Sequence, residues 1–176
     1  MTHPPGDIEA VAIRTERPAD GAAIDEVTVE AFLQVPHGGR TEQLIVNALR
    51  RAGALTISLV AEREQHIVGH VAISPVVVSD HSPGWFGLGP VSVLPAWQRR
   101  RIGTRLIDQA LASLRALGAS GCVVVGDPAF YGRFGFAARP ELVYPDLPPQ
   151  YFQALAFNAP VPSGTVSYHD AFNATS

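Results

Sequence analysis

A chain of 176 residues with 47% apolar content is long enough for one domain with a sizeable core. Its charged fraction of 16% and net charge of −3 exclude a general nucleic-acid binder, because no overall basic field exists to draw in phosphate backbones. The single cysteine, Cys122, excludes an internal disulfide framework and fits a reducing compartment.

The first ten residues, MTHPPGDIEA, lack the basic-then-apolar pattern of a signal peptide. No apolar run approaches the roughly 20 residues that span a bilayer. The expectation is a soluble, cytoplasmic chain with neither membrane nor nucleic acid as partner. Ile8 to Arg14 alternates loosely and predicts a first strand. Ala19 to Phe32 carries Ala23, Ile24, Val27 and Phe32 at helical spacing. Pro36-His37-Gly38-Gly39 breaks the chain, and a second helix runs from about Thr41 with Leu44, Ile45, Ala48 and Leu49 as its stripe. Gly53 stops it.

Strands over Ile57–Glu62 and Ile67–Val78 flank the polar Arg63-Glu64-Gln65-His66, a hairpin turn. Trp85 to Val93 is a further strand, interrupted by Gly89-Pro90. Proline removes a ladder donor, so this pair marks a bulge or an edge. Gln98 to Leu117 has the clearest helical stripe, from Ile102 through Leu106, Ala110 and Leu114, and Gly118 sits where a left-handed cap belongs. Gly121 to Val125 reads as a strand buried on both faces, with Cys122 a buried strand residue. Strand, helix and strand then form a parallel right-handed unit. Beyond Arg139 prolines are dense. Phe152, Leu155 and Phe157 predict a packed loop or short helix there, and Thr165 to Tyr168 a last strand.

The chemistry concentrates between Gly89 and Thr104. A strand ends, an arginine-rich turn follows, and a helix begins near Ile102. The first amides of a helix lack internal partners and carry the positive end of its dipole, which makes an anion site. Gly103 lets a phosphate approach the backbone, and Arg99, Arg100 and Arg101 add forked donors. An arginine run at a helix start is otherwise a solvated face.

Val93-Leu94-Pro95 followed by Gln98-Arg99-Arg100-Arg101-Ile102-Gly103 resembles the cofactor motif of the GNAT superfamily of N-acetyltransferases, Gln/Arg-x-x-Gly-x-Gly/Ala after a strand ending in Val-x-Pro. The chain departs from it at Arg101, where glycine is usual; an arginine there must hold the same backbone with its side chain turned outward. A second segment, Gly126-Asp127-Pro128-Ala129-Phe130-Tyr131-Gly132-Arg133-Phe134-Gly135-Phe136, resembles the superfamily's Tyr-x-x-x-Gly-Phe signature. The resemblance covers roughly residues 8 to 137. It implies one N-acetyltransferase domain over residues 1–176, with a proline-rich extension at 138–176. The implied α+β fold is a mixed, mostly antiparallel sheet with one splayed parallel pair, flanked by helices.

The resemblance also implies acetyl-CoA as co-substrate, with no metal, and an amine acceptor that is a small molecule or a protein N-terminus. Backbone groups of Val91, Ser92 and Val93 would pair with the pantetheine arm. Amides from Arg99 to Thr104, including Ile102 and Gly103, would hold the pyrophosphate, and Asp127 would make a further cofactor contact. Tyr131 would protonate the departing thiolate, against a plain packing role among Phe130, Phe134 and Phe136. Glu30, His37, Glu42, His70, Asp80 and His81 are the base candidates, none singled out. His37–Glu42 and Tyr151–Phe157 flank the acceptor mouth in this fold, and dimerisation is common in such enzymes. Two rival readings stand beside this one: a non-catalytic acyl-CoA sensor, and a nucleotide-binding α/β protein. The latter lacks a GxxxxGK[ST] loop and a GxGxxG after a strand.

Overall fold

The computed structural model describes residues 10–33, 35 and 41–175. The chain runs β1 (Ala12–Thr15), α1 (Gly21–Leu33), α2 (Glu42–Arg51), β2 (Ile57–Arg63), β3 (His66–Val78), β4 (Trp85–Val93), α3 (Ile102–Ala116), β5 (Gly121–Val125), α4 (Pro128–Tyr131), β6 (Leu142–Val143), β7 (Phe152–Ala156) and β8 (Gly164–Tyr168). Strands β1-β2-β3-β4-β5-β7 lie side by side in that order. β8 pairs with the far end of β3, and β6 pairs with β8. Among the described strand pairs, only β4–β5 and β6–β8 are parallel. This is the α+β arrangement expected from the sequence, a mixed sheet with helices on both faces.

Local chemistry explains the boundaries. Glu64 and Gln65 both take positive φ, so the β2–β3 hairpin closes on a two-residue turn whose twist matches its strands. α3 ends with Gly118 at φ +79, its N–H bonded to Arg115 and that of Ala119 to Leu114, the two bonds of a Schellman cap. The buried positions of α2 are Val46 and Leu49, so its stripe centres on Val46 rather than on Leu44 and Ile45.

Three expectations need correction. The first strand begins at Ala12, and Ile8 lies outside the described residues. The stripe drawn from Gln98 overshoots: the long helix starts at Ile102, where the arginine turn already puts it, because Arg99 and Arg101 adopt left-handed φ of +61 and +62, which no continuous helix accommodates. Phe152–Ala156 is a strand, neither loop nor helix: it pairs antiparallel with β5 from Val125↔Phe152 to Gly121↔Ala156, an edge that β5 would otherwise leave open.

The faces of the sheet differ in content. α3 packs on one face through Ile102, Leu106, Ile107, Ala110 and Leu114, against Leu59, Val71, Ile73 and Leu88. α1 covers β3 and β4 on the other face, where Ile24, Val46, Val60 and Ala72 form a smaller cluster.

Candidate active site

The site begins with a change of register. Val71 of β3 lies opposite Val91 of β4, but Ile73 lies opposite Leu88, so Gly89 and Pro90 together face Ala72. The extra residue is a β-bulge, as the Gly-Pro pair predicts. Pairing between β4 and β5 runs from Trp85↔Gly121 to Leu88↔Val124 and stops at the bulge. Val91, Ser92 and Val93 then pair only with β3, leaving the other edge of their backbone without a strand partner among the described residues.

Past Val93 the chain turns through Pro95–Trp97 and reaches the arginine run. The Gln98 side-chain amide donates to the Val93 carbonyl at 3.1 Å, tying the turn to the strand end. The first bond inside α3 joins the Arg105 N–H to the Arg101 carbonyl at 3.0 Å. The amides of Ile102, Gly103 and Thr104 therefore have no acceptor inside the helix. A Cβ added at Gly103 would meet only Val93, at 3.8 Å, so the space above this glycine is open to a ligand. Arg101 holds the left-handed backbone that glycine usually supplies, with its side chain exposed, as the departure from the motif requires.

A cavity of about 330 Å³ covers this turn, lined among others by Arg99, Arg101, Gly103, Thr104, Phe130 and Arg133. Arg100 does not line it: its guanidinium stacks on Trp97, 4.9 Å from the ring centroid, and Arg63 lies at the same distance. Trp97, Phe130 and Arg133 line this cavity and are not among the site residues expected from the sequence. The signal for Phe130 and Arg133 was their place in the Tyr131 segment, but only the tertiary fold lays that segment across the arginine turn.

Tyr131 closes α4, its ring 5.0 Å from Phe130 and 6.0 Å from Phe136, both edge-on, and lying against the backbone of Gly126. Burial, with a smaller contribution from Cys122, pushes its phenol up to about 12, so it stays protonated. Burial likewise pushes the Cys122 thiol well above its ordinary range, which leaves it a packing residue. Asp127 is exposed and serves as N-cap of α4, accepting the Ala129 N–H at 3.0 Å.

On the other side of the bulge lies a cavity of about 270 Å³, lined among others by Phe32, Glu42, Gly89, Pro90, Tyr168 and Phe172. Of the expected acceptor-side segments, Glu42 is here and His37 lies outside the described residues. Tyr151 and Phe157 are elsewhere: Tyr151 is exposed, and Phe157 receives the Arg115 guanidinium 4.5 Å from its ring centroid. The tail contributes Tyr168 and Phe172 instead, because β8 returns to β3 and carries them over the bulge. Among the base candidates, Asp80 accepts the amides of Ser82 and Ser163 in a turn, and Glu30 and His81 are exposed away from this cavity.

A sheet that parts at a bulge beside a turn of bare amides is the architecture of an acyltransferase that takes a diphosphate-bearing thioester. The comparisons agree. The Acetyltransferase (GNAT) domain model matches residues 55–138. The uncharacterized N-acetyltransferase YhbS of Escherichia coli (strain K12) is 37% identical over 125 residues, 70% of this chain and 72% of that protein. The crystal structure of a GNAT family acetyltransferase from Brucella melitensis in complex with acetyl-CoA superposes with a TM-score of 0.83 at 50% identity, covering 92% of this chain and 97% of that one. That of Escherichia coli YhbS in complex with CoA gives 0.85 at 31% identity, over 98% and 96%. The chain belongs to the GNAT family of N-acetyltransferases.

Proposed function

We propose that this protein transfers the acetyl group of acetyl-CoA to a primary amine by direct attack in a ternary complex. The observation that carries the reading is the pairing of a free β4 edge beyond Gly89-Pro90 with the unpartnered amides at the start of α3. The pantetheine arm would extend the sheet along Val91–Val93, while the pyrophosphate meets the amides of Arg99–Thr104 beside Arg99, Arg101 and Arg133. The relatives crystallised with acetyl-CoA and CoA support this reading. Asp127, occupied as a cap, contributes to the cofactor site by setting the direction of α4.

Tyr131 acts as general acid toward the departing thiolate. A phenol at about 12 is a weak donor to a thiolate that titrates near 8.5 in water. Burial raises both groups, however, so the gap narrows where the thiolate forms beside the ring. The acceptor occupies the cavity over the bulge, where Glu42 offers a carboxylate to an ammonium and Phe32, Tyr168 and Phe172 offer apolar walls. At about 270 Å³ this space is at the small end of ligand pockets and suits a compact amine with an apolar body. The test is release of free thiol from acetyl-CoA with a panel of small primary amines and N-terminal peptides. Turnover with apolar small amines is expected; binding of acetyl-CoA without thiol release on every acceptor overturns the reading in favour of a sensor.

A further inference from the structure

The cavity over the bulge has a neighbour. A second cavity, of about 610 Å³ against about 270 Å³, is lined only by residues of the proline-rich tail from Ala138 to Phe152. Pro140, Leu142, Leu147, Pro149 and Phe152 give it apolar walls. Arg139, which pairs with Glu141 at 3.8 Å, is the one charged residue among those that line it. Among the described residues, Tyr144 alone lines both cavities.

Strand alternation puts Tyr144 there. β6 runs parallel to β8, with Leu142 opposite Gly164 and Val143 opposite Thr165. Successive side chains point to opposite faces, so Tyr144, one residue past β6, returns to the face of the buried Leu142. On β8, Tyr168 shares the face of the buried Val166 in the same way, and both tyrosines pack against the cluster that holds Leu142 and Val166.

The rings then form a file from one cavity to the other. Tyr144 stacks on Phe152, with centroids 5.3 Å apart and planes 26° from parallel. It meets Tyr168 edge-on at 5.4 Å, and Tyr168 lies 4.9 Å from Phe172. Phe152 belongs to the wall of the second cavity, Tyr168 and Phe172 to that of the first. The Tyr144 ring therefore stands as a partition, held by aromatic contacts on both sides.

The two spaces differ in chemistry. Glu42 is the one charged residue lining the cavity over the bulge, so the ammonium end of an acceptor belongs there. Beyond Tyr144 the walls suit hydrocarbon. Resting on the acetyl-transfer reading, we propose that Tyr144 sets acceptor length: its ring ends the acceptor cavity, restricts the protein to compact amines, and closes off an apolar annex that fits the tail of a longer alkylamine.

The test is a length profile, kcat/KM for n-alkylamines from butylamine to decylamine, read by thiol release from acetyl-CoA. In the wild type, decylamine should be no better than hexylamine. Tyr144→Ala joins the two cavities and should raise the decylamine-to-hexylamine ratio at least about tenfold, since each further methylene buried is worth about fourfold. Tyr144→Leu, a milder truncation that covers the case of a misfolded Tyr144→Ala, should raise it at least about threefold. Tyr144→Phe keeps the ring and should hold the ratio within twofold of the wild type. Because a ratio reports on the tail alone, a general loss of activity does not imitate these shifts. Folded truncations with the wild-type ratio overturn the assignment, and so does an equal rise in Tyr144→Phe or a wild type that already favours decylamine tenfold. Absence of thiol release by the wild type with every amine overturns the transfer reading instead. Calorimetry of decylamine then decides the partition: binding at least tenfold tighter to Tyr144→Ala than to the wild type sustains it, and equal affinity overturns it.

Discussion

The two faces of the central sheet are built from the same strands, yet they carry opposite contents. On the α3 face, Val71 and Ile73 of β3 meet Leu106, Ile107 and Leu114 in a continuous apolar core. On the α1 face, the residues that flank them in sequence, His70 and Ser74, are as deeply buried but polar, and part of their hydrogen-bonding capacity is unused among the described residues. Apolar burial is what holds a domain together, and buried polar atoms without partners subtract from it. The α3 face therefore secures the fold and the position of the arginine turn. The α1 face trades stability for polar groups on either side of the bulge.

That contrast can be broken by substitution. Leu106 is completely buried, and its side chain packs within 3.0 Å of where a Cβ on Gly69 would stand. Leu106→Ala should cost about 2–5 kcal/mol in denaturant unfolding, from lost transfer energy plus a cavity. A cost below about 1 kcal/mol would mean that the α3 face is not the main core. Tyr131→Phe leaves both faces intact and should lower kcat roughly tenfold to a thousandfold while coenzyme affinity holds within about twofold. A rate unchanged within twofold removes Tyr131 from the mechanism.

The pH dependence of stability sharpens the comparison. Burial, opposed by Glu16 and aided by Arg50, holds His70 down to about 4, against an ordinary value near 6.5. Between these values the unfolded chain binds a proton that the folded chain refuses, so stability falls as pH drops from about 6.5 toward 4. The loss is at most about 3 kcal/mol. His70→Gln should flatten that stretch of the pH profile; an unchanged slope would assign it to other groups. The smallest effect belongs to Ser92→Ala. Its hydroxyl has no hydrogen-bond partner among the described residues, so its removal should change unfolding stability by less than about 1 kcal/mol in either direction. A loss of several kcal/mol would show a hydrogen bond that the fold does not otherwise reveal.

Much of this was legible from the residues alone. Periodicity located α1, α3 and the hairpin, and Gly89-Pro90 located the bulge, because proline chemistry is local. The arginine turn at the start of α3 was legible because glycine, arginine and a helix start act over neighbouring residues. The cavity over the bulge was not. Tyr168 and Phe172 reach the bulge only because β8 pairs with β3, a contact between Val76 and Tyr168 that no local pattern encodes. β7 escaped for the same reason: the prolines around Phe152–Ala156 favour a loop locally, and the open edge of β5 decides otherwise. The polar file was hidden because a histidine within an apolar strand reads as a satisfied core residue until its partners can be counted.

The arginine turn and the opened strand are the foundation of the whole account, and calorimetry of coenzyme A binding tests them most directly. The wild type should bind, and the Arg99→Glu/Arg101→Glu pair should weaken binding by at least about 100-fold, since each lost charge-assisted contact is worth about 1.5–3 kcal/mol. No heat of binding in the wild type, or equal affinity in the reversed pair, would contradict it.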